Sequence, residues 1–173
     1  SDYRRILALD ARFTMWSWAE YGLQGQRLRL APRIRFSDHL FVTLSFIPSW
    51  EKNNIGWVNT ISPTDSIVFG ARDINETELA IAARYVFTKD ISLEMNLRHF
   101  WTEVKYNQFF LLQDDGNLED FPEYMGQHDI NFNSLNLDVK FSWWFAPASQ
   151  IVFLYRNNFL NSDQRINTSY GEN

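Results

Sequence analysis

The chain has 173 residues, a formal charge of −5, no cysteine and 17% aromatic side chains. Its apolar content of 45% against 21% charged residues excludes a disordered chain, and the length suits one domain with a real core. No run of ~18 apolar residues is present to make a transmembrane helix, and without cysteine neither a disulfide framework nor a thiolate site can form. The acidic balance argues against a nucleic-acid partner.

Strict alternation, the period of a strand with two unlike faces, describes the chain better than helical spacing. In 7–21 the odd positions run Leu7, Leu9, Ala11, Phe13, Met15, while Asp10, Arg12, Thr14 and Glu20 take the other side. Residues 27–36 put Leu28, Leu30, Pro32, Ile34 and Phe36 on one face and Arg27, Arg29, Arg33 and Arg35 on the other. After a tight Ser37-Asp38 turn, Leu40, Val42, Leu44, Phe46, Pro48 and Trp50 alternate with Thr43, Ser45, Ser49 and Glu51. A fourth run, 77–87, carries Leu79, Ile81, Ala83, Tyr85 and Phe87. The fifth, 91–103, sets Ile91, Leu93, Met95, Leu97 and Trp101 against Ser92, Glu94, Asn96 and Arg98. The cleanest is 135–145, where Leu135, Leu137, Val139, Phe141 and Trp143 face Asn136, Asp138, Lys140 and Ser142. The last, 151–159, pairs Ile151, Phe153, Tyr155 and Phe159 with Arg156 and Asn158. The pattern predicts seven antiparallel strands.

A soluble β-sandwich alternates too, so three further features decide the class. The runs reach about ten residues, and a tilted strand needs ~9–11 to cross a bilayer. One face is densely charged and the other nearly uncharged, with Lys52 and Glu103 expected at strand ends. Connections alternate short and long: Ser37-Asp38, Lys89-Asp90 and Pro147-Ala148-Ser149 are tight, whereas 53–76 and 105–133 read as long extracellular loops. Together they predict an antiparallel transmembrane β-barrel, of which 1–173 is one part, in the cell outer membrane. The opening residues 1–13 read as mid-strand, and such barrels close with an even number of strands. Further strands are therefore expected before Ser1 and after Asn173.

The stretch Ile67-Val68-Phe69-Gly70-Ala71-Arg72-Asp73-Ile74-Asn75-Glu76-Thr77-Glu78-Leu79, followed by Thr88-Lys89-Asp90-Ile91-Ser92-Leu93-Glu94, resembles a known signature. So does Phe132-Asn133-Ser134-Leu135-Asn136-Leu137-Asp138-Val139-Lys140 leading into Trp143-Trp144-Phe145-Ala146-Pro147-Ala148-Ser149. Both are similar to the C-terminal barrel of a family of uncharacterised Bacteroidota outer-membrane proteins, a domain of unknown function. In that family a carbohydrate-binding family 9-like domain precedes the barrel. Ala148 stands where the family usually has glycine, and Thr88-Lys89-Asp90 replaces its usual proline turn. The resemblance implies an accessory or structural subunit that anchors a carbohydrate-binding-type domain and docks with other outer-membrane proteins. Any contact with glycans would run through a domain outside this segment.

The arginine stripe Arg27, Arg29, Arg33 and Arg35 is the most pointed constellation. It either lines an anion-attracting pore or belongs to a filled lumen braced by Asp10, Glu20 and Glu51. Bracing is favoured because buried arginines are usually paired; Arg12, Glu94, Arg98, Asp138, Lys140 and Arg156 extend that network. The segment 105–133 is acidic, with Asp114-Asp115-Gly116-Asn117 lacking EF-hand spacing. Its Phe109, Phe110, Phe121 and Tyr124 are expected to pack on one another. His39, His99 and His128 sit beside no legible nucleophile, so no catalytic residue, metal or cofactor is expected; an outer-membrane hydrolase is the least favoured reading.

Overall fold

The computed structural model describes residues 6–164. Eight strands form one antiparallel sheet: β1 (Leu7–Trp18), β2 (Leu23–Arg35), β3 (Leu40–Ile61), β4 (Ser66–Thr88), β5 (Ile91–Leu112), β6 (Leu118–Asp120), β7 (Ile130–Ala146) and β8 (Ser149–Asp163). The path is a meander, β1-β2-β3-β4-β5-β7-β8, with the short β6 pairing on β5. The seven long strands are those the alternation predicts. The sheet is open, since β1 and β8 do not pair among the described residues. A sandwich needs a second sheet packed face to face, and the described strands all belong to one layer. Accordingly the interior is thin, with Val68 the largest fully buried side chain.

Local chemistry explains the turns. Ser37 Oγ accepts from the backbone N–H groups of His39 (3.2 Å) and Leu40 (3.1 Å), closing the β2–β3 hairpin. Thr88 Oγ1 does the same for Asp90 N (3.2 Å) between β4 and β5. At the β7–β8 turn Ala148 adopts φ 57°, a left-handed conformation that glycine takes without steric cost.

Several boundaries differ from the sequence reading. The first strand stops at Trp18 rather than Tyr21, because a 3-10 turn over Glu20–Gly22 with positive φ at Tyr21 and Gly22 ends the extension. The second begins at Leu23, earlier than Arg27. Segments 53–76 and 105–133 are not loops through most of their length: β3 and β4 continue to a four-residue turn at 62–65, and β5 runs to Leu112 before β6. Lys52 and Glu103 therefore lie within strands rather than at their ends. Bulges mark these extensions, with register shifts between Glu51 and Asn54, between Trp57 and Asn59, and in β5 opposite Ala71 and Arg72. Each extra residue reverses which side chains point to which face. The mid-strand reading of 1–13 is met by β1 from Leu7; residues 1–5 lie outside those described.

The sheet curls. Residues from β3, β4, β5, β7 and β8 border one cavity of about 740 Å³, which a flat layer could not enclose. Tyr21, in the β1–β2 turn, reaches Phe110 of β5 (ring centroids 6.2 Å apart) although β3 and β4 lie between them in the sheet.

Candidate functional site: the charged concave face

Cross-strand register gathers the polar positions on the inside of the curl. Thr43, Ala82, Asn96, Asp138 and Arg156 follow one another across five strands, and Ser45, Ala80, Arg98, Asn136 and Asn158 form the adjoining row. The small residues on β3 and β4 leave the volume that the long charged side chains border. Within it Arg98 Nη2 meets Glu78 Oε1 at 3.2 Å and Arg156 Nε donates to Asp138 Oδ1 at 2.6 Å. Glu94 receives Arg84 (3.6 Å) from one side and Lys140 (3.5 Å) from the other. These pairs remain partly exposed, so each contributes ~0–1 kcal/mol and together they fix register more than stability.

The arginine stripe divides into two halves. Arg33 lies 3.8 Å from Asp10, and Arg35 bonds Asp38 at 2.9 Å while its guanidinium sits 5.2 Å from the centre of the Phe41 ring. Arg12, Arg27 and Arg29 make no ion pair or hydrogen bond among the described residues. Arg12 stands directly opposite Arg29, and Arg27 is flanked by Thr14 and Ser49. Of the three acids expected to brace the stripe, Asp10 does so. Glu20 instead accepts from Trp18 Nε1 (3.4 Å), and Glu51 from Asn54 Nδ2 (2.7 Å). The three arginines share a cavity of about 380 Å³ with Thr14, Trp16 and Ile47.

The outer face is the apolar one. Leu7, Ile34, Val42, Ala83, Met95, Val139 and Tyr155 form a continuous row across it, and Leu135, Leu137, Phe141 and Trp143 lie on the same side of β7. Aromatic side chains rim its lower edge: Tyr85 meets Phe87 edge-on at 4.7 Å, and Trp143 meets Phe145 at 5.8 Å. Asn157, opposite Leu137, interrupts the band on the edge strand β8. Its upper edge is a polar row the sequence reading missed. Trp101 Nε1 donates to Asn131 Oδ1 (2.9 Å), His99 Nε2 and Asn133 Oδ1 lie 2.6 Å apart, and Asn75 Nδ2 reaches Glu103 Oε2 (3.4 Å). The signal was present in the spacing of Asn131 and Asn133, which continue the parity of Leu135.

Of the four aromatics of 105–133 expected to pack on one another, Phe109, Phe121 and Tyr124 do so, whereas Phe110 meets Tyr21 of the β1–β2 turn. Tyr124 meets Phe109 at 5.0 Å and Phe121 at 5.8 Å, stacks on His128, and binds His128 Nε2 through its hydroxyl at 2.7 Å. Asn59 Nδ2 donates to that hydroxyl from β3 (3.2 Å). Acidic side chains there are engaged locally: Asp120 by Gln108, Glu119 by Gln113, and Asp129 by the backbone N–H of Tyr106. Hydrogen bonds from the backbone and side chain of Asn117 hold the Asp115 carboxyl below its ordinary range. The third histidine, His39, places Nδ1 2.7 Å from the Val86 carbonyl and so donates to it.

No curated protein and no solved structure matches the chain. Over residues 1–173 the sequence matches the family described as Domain of unknown function (DUF5916), and the chain, an open, curled, all-β sheet with a charged inner face, belongs to that family.

Proposed function

We propose that the chain is part of a transmembrane β-barrel in the outer membrane of a Gram-negative bacterium of the Bacteroidota. In this reading it is an accessory or structural subunit that anchors a carbohydrate-binding-type domain, docks with other outer-membrane proteins and carries no catalytic centre of its own. The observation that supports it is the bounded apolar band. On β5 the outward side chains Ile91, Leu93, Met95 and Leu97 are apolar, and His99 and Trp101, each bonded to an asparagine of β7, close the band; the stretch to Trp101 covers the ~9–11 residues with which a tilted strand crosses a bilayer. Above them Glu103 and its neighbours turn the same face polar, and below them aromatics form the kind of girdle that sits at headgroup level. Beyond the band, the upper ends of β3, β4 and β5 with segment 105–133 stand on the extracellular side.

Cell fractionation of the full-length protein tests this. It should stay in carbonate-washed outer membranes and change its electrophoretic mobility on boiling, as closed barrels do. Recovery as a soluble periplasmic protein would contradict the reading. A second reading, a pore with a basic lumen, is favoured by Arg12, Arg27 and Arg29, which have no carboxylate within 4 Å among the described residues. Anion-selective conductance in planar bilayers would support it over the anchor.

A further inference from the structure

We infer that Arg12, Arg27 and Arg29, with Trp16, form a binding site for a ring-bearing polyanion such as an acidic oligosaccharide. The contrast within one face carries the argument. Arg33, Arg35, Arg84, Arg98 and Arg156 each have a carboxylate within 4 Å, whereas these three have none among the described residues. Register explains why. The β3 positions across from Arg27 and Arg29 are the uncharged Ser49 and Ile47, which set the β4 carboxylates one strand further away: Glu78, beyond Ile47, is bonded to Arg98, and Glu76, beyond Ser49, lies within 4 Å of neither arginine. Like charges directly opposite on paired strands destabilise a sheet, so Arg12 facing Arg29 is an arrangement that an anion would relieve.

Trp16 supplies the second element. It sits opposite Gly25, and a Cβ built on that glycine would fall 2.0 Å from the indole. The ring therefore lies across bare backbone beside the arginines and lines the cavity they border. Guanidinium forks bind carboxylate, sulfate or phosphate bidentately, while an indole face accepts the apolar face of a ring. The cavity of about 380 Å³ is within the range of small-ligand sites. Acidic polysaccharides and phosphosugar headgroups share this chemistry. The inference rests on the unpaired arginines and is independent of whether the sheet spans a membrane.

Calorimetry on the full-length protein in detergent tests it, with trigalacturonate, glucose 1,6-bisphosphate, pyrophosphate and neutral maltotriose as probes. Saturable binding of either ring-bearing anion is expected, and the tighter of the two identifies the source. Arg29→Gln and Trp16→Ala should each weaken it by about tenfold or more, while Arg84→Gln, which removes a paired arginine, should not. Thermal unfolding without ligand should show Arg29→Gln no less stable than wild type, which separates lost binding from lost folding. No binding of any anion would overturn the site, as would equal binding of maltotriose or equal loss in Arg84→Gln. Pyrophosphate bound as tightly as the sugars, with no dependence on Trp16, would overturn the ring-binding part.

Discussion

Ala148 is a single residue at which backbone and side chain disagree. Its φ of 57° is a conformation in which a Cβ crowds the following carbonyl, at a cost of roughly 1–2 kcal/mol. Ala148→Gly should therefore raise the unfolding midpoint, with a gain in stability of up to about 1 kcal/mol once glycine's extra unfolded-state freedom is subtracted. A denaturant titration checks it; a lower midpoint would mean the β7–β8 turn gains something from the methyl group. At the same scale, the arginine stripe looked uniform in sequence because period two gives four equivalent positions. Which of them are paired depends on Asp10, Ile47 and Ser49 in neighbouring strands, and one strand's pattern carries no information about its partners' register. Arg33→Ala, which removes one partner of Asp10, should lower thermal stability slightly, by ~0–1 kcal/mol. Arg29→Ala should leave it unchanged or raise it. Parallel melting curves compare the two, and an equal loss in both would place an unseen acid near Arg29.

Among the elements, β7 was the most legible: its alternation from Leu135 to Trp143 matches the observed facing. Val139→Arg, on the outer face, should destabilise the folded protein in a bilayer by on the order of 2–4 kcal/mol near midplane. Lys140→Val, on the inner face, should leave membrane association intact; equal damage from both, measured by folding yield into liposomes, would argue against lipid on that face. The upper halves of β3 and β5 were illegible because their pairing is irregular. Period two survives only while pairing is regular, and the bulges at Asn53, near Val58 and at Asn107 shift its phase within a few residues. A test for alternation then reports a loop where the backbone is fully paired. The bulged residue of β3 also shows it directly, since Asn53 has φ 55° and its N–H turns to Asp73 Oδ1 at 3.2 Å.

For the whole molecule, the ratio of surface to interior is the governing fact. Leu7, Leu9, Phe13, Met15, Phe153 and Phe159 are each more than half exposed, and they lie on β1 and β8, the two long strands that lack a partner on one side among the described residues. Water tolerates neither the apolar surface nor long unpaired edges well. Residues 1–173 produced alone in detergent-free buffer should thus associate rather than stay monomeric, as light scattering would register. A soluble monomer with a cooperative unfolding transition would count against the membrane reading as a whole.

The paired upper ends of β3, β4 and β5 bear on how the protein meets enzymes and antibodies. From Lys52 to Ile61 the backbone extends roughly 30 Å at the usual strand rise, and its amides are largely spoken for by β4. A protease must draw a segment into its own extended cleft, which a paired ribbon resists. The irregular stretch 121–129 offers no such resistance, and Glu123 is exposed within it. A glutamate-specific protease should nick there first and spare Glu76 and Glu78, embedded in β4. Antisera raised against a free peptide of 53–76 should likewise recognise the denatured chain far better than the native one, because the native epitope is a folded ridge.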